Sequence, residues 1–146
     1  MDLPIEDVAE LEQLCATYAL KMTQGDIHYI IEHVCTADGT YSAFGETYGL
    51  EDWPSLVEAA PKGLFLTGTP VLELDGDTGS GEVPLLFVDQ TDHQMRMGWY
   101  SDTYRRTENG WRLRTRTMTF LRRNGEADSG RPHDPRRPKP AARRSG

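Results

Sequence analysis

Three side chains stand where proton transfer or substrate anchoring could be done. Asp102 and Arg116 lie on long apolar-rich runs separated by Asn109-Gly110, a hairpin signal because its turn geometry needs positive φ. Counting outward from that turn brings the two within a residue or so of one another, so a cross-strand contact is possible. If buried, Arg116 could anchor a substrate carboxylate or keep Asp102 ionised. Asp89 closes the run Val83-Pro84-Leu85-Leu86-Phe87-Val88. At the rim of an apolar cavity, desolvation would raise its pKa into the range of a working acid or base. The same residue could instead open a solvated turn, Asp89-Gln90-Thr91-Asp92. His28, His33, His93 and His133 are expected at the surface, and no group of His, Asp and Glu has metal-ligand spacing, so no metal is expected. No glycine-rich phosphate loop is present, so the chemistry expected here runs without a cofactor.

Two kinds of element must position these groups. Val8, Leu11, Cys15, Tyr18 and Met22 recur at spacings of 3 and 4, which lays an apolar stripe along a helix from about Ile5 to Gln24. Asp7, Glu10 and Glu12 are expected on its other side. Gly25 ends that helix, and Asp26 caps a short second one through Ile27, Ile30, Ile31 and Val34. Asp38-Gly39 reads as a turn, 40–44 as a strand and 50–60 as a helix begun or broken at Trp53-Pro54. From there the pattern is β: 64–74, 80–90, 94–107 and 111–122 are rich in Val, Leu, Thr, Tyr, Trp and Phe, with Asp75-Gly76 and Asn109-Gly110 as turns. Pro84 and Gly98 inside these runs imply bulges, an edge or close backbone approach, hence curvature. The result is an α+β domain whose bent antiparallel sheet closes over the first helix like a cone, leaving room for a small molecule. Tyr41, Tyr48, Trp53, Trp99, Tyr100 and Met118 are expected near that space. Strict alternation puts Arg112, Arg114 and Arg116 on one face with Met118 and Phe120, the signature of a solvated or interface surface.

The 146 residues suit one domain, and no apolar stretch approaches the roughly 20 residues that span a bilayer. Met1 precedes Asp2 and Glu6 rather than a basic and then apolar leader, so a cytoplasmic location is expected, with no membrane partner. Charge is uneven: residues 1–61 hold twelve acids against Lys21 alone, while 131–146 hold six bases against Asp134. An acidic body repels phosphate backbones, so no nucleic-acid partner is expected. From 124 onward Gly, Pro, Arg and Ser dominate, which reads as a disordered tail (124–146) after a domain at 1–123. Cys15 and Cys35 are too few for a disulfide framework.

In order along the chain, Tyr18 followed by Gly25-Asp26, Ala37-Asp38-Gly39-Thr40, Tyr48-Gly49-Leu50-Glu51, Val71 with Asp75-Gly76-Asp77, and Gly98-x-Tyr100-x-Asp102-x-Tyr104-x-Arg106 leading through Asn109-Gly110-Trp111-Arg112-Leu113 to Arg116 resemble the SnoaL-like branch of the nuclear transport factor 2-like superfamily. The resemblance covers about residues 3–122. It implies a cofactor-independent lyase or isomerase (dehydratase, cyclase or double-bond isomerase) acting on a hydrophobic polycyclic, polyketide-like or steroid-like molecule. The alternative is a non-catalytic small-molecule-binding or dimerisation module. The dehydratases' helix-one Asp falls at Thr23, their histidine on the segment Leu64-Phe65-Leu66-Thr67, and the isomerases' base on Tyr41-Ser42-Ala43-Phe44-Gly45, so those catalytic groups are missing. Tyr18 matches the helix-one tyrosine that donates to substrate oxygen. The site the resemblance implies is therefore Tyr18, Asp89 and Asp102 as catalytic groups, with Tyr41, Tyr48, Trp53, Trp99, Arg116 and Met118 binding substrate. Homodimerisation through the outer sheet face is expected on the same ground.

Overall fold

A computed structural model describes residues 3–130 and 140–141. Its elements are helices α1 (Ile5–Gln24), α2 (Ile27–His33) and α3 (Trp53–Ala59), the last entered through a 3-10 turn at Leu50–Asp52. The strands are β1 (Cys35–Ala43), β2 (Glu46–Gly49), β3 (Gly63–Thr67), β4 (Val71–Asp75), β5 (Thr78–Asp89), β6 (Met95–Thr107), β7 (Gly110–Leu121) and β8 (Ala127–Asp128). One sheet runs in the order β2-β1-β7-β6-β5-β3, with β4 on β5 and β8 on β7. The α+β curved-sheet architecture is the one expected, but the sheet is mixed, because β1 lies parallel to β7. Alternation cannot reveal that pairing, since it depends on a connection that passes over the sheet through α3 and five strands.

α1 ends as its sequence dictates: Gly25 sits at φ 75°, and Asp26 accepts from the Tyr29 amide at 3.2 Å to start α2. Leu11, Cys15, Tyr18 and Ala19 are its buried stripe. Asp7 and Glu10, expected on the side of α1 away from its apolar stripe, both reach the sheet. Asp7 takes both Arg106 nitrogens at 2.9 and 3.0 Å and the Trp111 indole N–H at 3.0 Å, while Glu10 accepts from the Trp111 backbone amide. At the other end, Thr23 accepts from the Phe65 amide at 2.9 Å. The helix is thus tied to the sheet at both ends, and the space between is set.

The expected 64–74 run is two strands. β3 and β4 both pair with β5, and the chain breaks at Gly68-Thr69-Pro70 to pass from one to the other. β2 was not foreseen: it returns from the Phe44-Gly45 turn to pair with β1. Asp38-Gly39 lies within β1 rather than in a turn, at a register irregularity between Cys35 and Thr40. Opposite it, β7 slips register against β6 so that Thr103 faces Thr115 but Tyr104 faces Leu113, leaving Arg114 as the extra residue. A bulge adds one residue to one strand and inverts its alternation. Trp111 and Leu113 face inward before it; Arg116 and Met118 face inward after it. The expectation that Arg112, Arg114 and Arg116 share one face is therefore overturned: Arg116 is interior, 1% exposed, whereas Arg114 is outside, 3.6 Å from Asp38.

The boundary expected at residue 123 falls inside a hairpin. Asp128 on β8 takes the Arg122 guanidinium at 2.7 Å, and Gly130 lies against the Phe44 and Phe120 rings. The remaining stretches of the expected tail, 131–139 and 142–146, lie outside the described residues.

Candidate functional site

Because residues two apart on a strand share a face, the inner sheet face can be read as rows. Gly79–Tyr104–Leu113 lies at the closed end, followed by Gly81–Asp102–Arg116, Val83–Tyr100–Met118, Leu85–Gly98–Phe120 and finally Phe87–Arg96. Gly98 has to be glycine: a Cβ there would lie 1.9 Å from the Thr119 carbonyl oxygen. A cavity of about 490 Å³ opens over the last three rows, between them and α1, α3 and β1. Tyr18, Tyr41, Trp53, Phe65, Tyr100 and Phe120 form its aromatic walls, with Arg96 at the rim.

Beneath the cavity, Arg116 and Asp102 form a two-pronged ion pair, Nε to Oδ1 at 2.8 Å and Nη2 to Oδ2 at 2.7 Å. The Tyr104 hydroxyl donates to the same Oδ2 at 2.6 Å. Asp102 is 3% exposed, so both ions are desolvated, a cost that only such close geometry offsets. Burial works against the Arg116 charge, but the Asp102 carboxylate outweighs it and holds its pKa well above the usual range. The guanidinium lies between two phenol faces, 4.2 Å from the Tyr18 ring centroid and 4.0 Å from that of Tyr100. Such a planar cation suits stacking as well as pairing. Its Nη1 is buried without a hydrogen-bond partner among the described residues.

Tyr18, Tyr41 and Tyr100 line the cavity and make no hydrogen bond with any described residue. Burial drives all three pKa values up; Tyr100 is pushed to about 12, with Arg116 pulling against the shift. At neutral pH they are donors and not bases. Tyr18 and Tyr100 meet edge to face at 6.0 Å, and Trp53 stands edge-on to Tyr18 and Tyr41 at 6.3 and 6.1 Å. These contacts fix the rings and therefore where the hydroxyls sit.

Of the residues expected at the site, Tyr18, Tyr41, Trp53 and Met118 come together on the cavity wall. Arg116 and Asp102 lie below it as each other's partners. Tyr48 is fully buried in the core and is not part of the lining, and Trp99 faces outward, since alternation with inward Tyr100 forbids both on one wall. Asp89 is not brought to the cavity. It accepts from the Thr91 amide at 2.8 Å and organises the turn after β5. Its apolar neighbours suggested a rim because β5 runs past the cavity on the way. The alternation Arg96–Gly98–Tyr100 would have identified Arg96, which the sequence reading missed. Phe44 was missed because it belongs to an unforeseen hairpin. Among the described residues no group of three or more His, Cys, Asp or Glu could hold a metal ion, and no helix is long and apolar enough to cross a membrane.

Comparison with known proteins agrees with this architecture. The pattern of the SnoaL-like domain matches residues 4–117. An uncharacterized Mycobacterium tuberculosis protein, Rv2910c, is 30% identical over 127 residues, covering 79% of this chain and 86% of that one. Among solved structures, an NTF2-like protein with a cystatin-like fold from Novosphingobium aromaticivorans superposes with a TM-score of 0.72 at 22% identity, covering 83% of this chain and 87% of that chain. A candidate scytalone dehydratase from the same organism gives 0.68 at 12% identity, covering 92% and 93%. With a matching domain pattern over most of its length, the chain belongs to the SnoaL-like family.

Proposed function

We propose that the cavity binds a flat, largely apolar ring compound carrying a carbonyl or hydroxyl oxygen, and that Tyr18 donates a hydrogen bond to that oxygen. The observation that carries this is the pairing of aromatic walls with three phenols that have no partner among the described residues. These hydroxyls meet the cavity and not another protein group, so a ligand acceptor can take the hydrogen bond that water would otherwise make. Among the described residues no carboxylate or imidazole lines the cavity, so they place no base there to remove a proton beside a carbonyl. Binding and polarisation are what this wall supplies, which favours the small-molecule-binding reading. The test compares 2-acetylnaphthalene with 2-ethylnaphthalene by calorimetry. The ketone should bind about tenfold tighter, and Tyr18→Phe should bring the two together; equal affinities in the natural protein would contradict the proposal.

The lyase or isomerase reading on a polycyclic, polyketide-like or steroid-like substrate keeps one observation in its favour. The Arg116 cation lies under both the Tyr18 and Tyr100 rings, where it would favour negative charge developing on an oxygen held by the phenols. The structural similarity to a candidate scytalone dehydratase is in keeping with a dehydration. If turnover of a β-hydroxy ketone to its enone is found, Tyr18→Phe should lower it by about 10²-fold. A Tyr18→Phe enzyme of unchanged rate would exclude the phenol from the reaction.

We also propose homodimerisation through the outer sheet face. There Leu64, Val88 and Met95 align across three strands, as do Leu66, Leu86 and Met97, with Leu66 and Met95 55% and 62% exposed. Uncharged rows of this kind can meet a second copy of themselves without burying an unpaired charge. Sedimentation should give twice the chain mass, and Met97→Lys should halve it.

A further inference from the structure

We propose that the ligand of this cavity is an amphipathic anion, an apolar ring body bearing a carboxylate that Arg96 holds at the open end. The inference rests on the reading of the cavity as a ligand site and adds the charge class of the ligand. Arg96 stands on the inner face of β6, in register with Phe87 of β5, and its guanidinium lies 6.0 Å from the Phe87 ring centroid. It is exposed at the cavity rim and lines the same space as Tyr18 and Tyr100.

Arg96 joins a free guanidinium to a cavity; Arg123, which also has no partner among the described residues, stands in the turn after β7 away from it, and Arg112 bonds only the Trp111 carbonyl. Arg105, Arg106, Arg114, Arg116 and Arg122 each pair with an aspartate. Arg96 has neither ion pair nor hydrogen bond among the described residues, in a chain of formal charge −7. Among the described residues no Asp or Glu lines the cavity, so an entering anion meets one cation and no like charge from that wall. A neutral ligand would leave Arg96 to water, and a cation would be repelled by it.

Geometry sets the length of the ligand. Arg96 and Tyr100 are four residues apart on one strand, which places their Cα atoms about 13 Å apart at ~3.3 Å per residue. A body of fused rings with a short acidic arm can put an acceptor oxygen near the phenols and a carboxylate near the guanidinium, where the fork-shaped cation can grip both oxygens. The aromatic pair Phe65 and Phe87, 4.9 Å apart, offers apolar wall between the two ends.

The test measures calorimetric affinities of naphthalene-2-acetate and its neutral amide for the natural protein and for Arg96→Gln. Arg96 is a rim residue, so its replacement leaves the fold intact. The acid should bind about tenfold tighter than the amide, the preference should shrink as salt rises, and Arg96→Gln should weaken the acid alone until the two match. Equal affinities in the natural protein, or a preference that survives Arg96→Gln, would overturn this inference while leaving the ligand-site reading standing. Failure of both compounds to bind would overturn both.

Discussion

Asp102, at the closed end of the inner sheet face, has both carboxylate oxygens engaged, by Arg116 and Tyr104 at 2.6 to 2.8 Å. One row toward the open end Tyr100 has no hydrogen bond among the described residues, and three rows on Arg96 has neither hydrogen bond nor ion pair. The same strands therefore place polar groups in two regimes. Where the interior is closed, polarity is internally satisfied and holds the sheet and α1 together. Where it is open, polarity is left for something that enters. A carboxylate's presence on the inner face is not enough to make it a catalyst, because Asp102 is fully committed to the fold.

The largest expected effect follows from breaking the closed end. Asp102→Asn strands the buried Arg116 charge and should cost about 3–5 kcal/mol in chemical denaturation. Replacing both partners by apolar residues of similar size (Asp102→Leu with Arg116→Met) should cost far less than the single change, since no unpaired ion remains. If Asp102→Asn unfolds at the natural denaturant concentration, the contrast between the two ends disappears.

At the open end the expectation reverses. Tyr18→Phe removes a hydroxyl with no described partner and should change stability by less than about 1 kcal/mol, while reducing affinity for a carbonyl ligand about tenfold. A large loss of stability would mean that the phenol serves the closed regime after all.

Titration separates the regimes further. Burial raises the pKa of Tyr18, Tyr41, Tyr100 and Tyr104, with Tyr100 at about 12. A folded pKa above the unfolded value near 10 contributes stability that is present below about pH 10 and is lost as pH rises above it. Absorbance at 295 nm should therefore show these four phenols ionising late or together with unfolding. The smallest effect is expected at the surface clamp. The Arg106 hydrogen bond holds the Asp7 pKa below its ordinary 3.8, so its stabilisation is present above about pH 4 and fades as acid protonates it. Asp7→Asn should flatten the melting temperature between pH 6 and 3.

The helix stripe from Val8 to Met22, the Gly25 and Asp26 caps and the later hairpins were legible in the sequence because each is a local pattern. Tyr18 was legible for the same reason: it occupies the middle of a stripe that has to face the sheet. The parallel β1–β7 pairing was not, because pairing between strands far apart in sequence leaves no local trace. The bulge at Arg114 was not legible either. One inserted residue reverses which arginine is interior, and strict alternation has no way to register it. Asp89 misled because a carboxylate ending an apolar strand looks the same whether the strand ends at a cavity or at a turn. Arg96, by contrast, was available from parity with Tyr100 and was passed over.

The central claim is that the cavity is open to a ligand and that Tyr18 meets its oxygen. A crystal structure of the protein soaked with 2-acetylnaphthalene tests it most directly. The account predicts the ring between Tyr41, Trp53 and Phe65 with the carbonyl oxygen about 3 Å from the Tyr18 hydroxyl. A cavity collapsed by its aromatic side chains, or a bound ketone whose oxygen points away from Tyr18 toward bulk water, would contradict it.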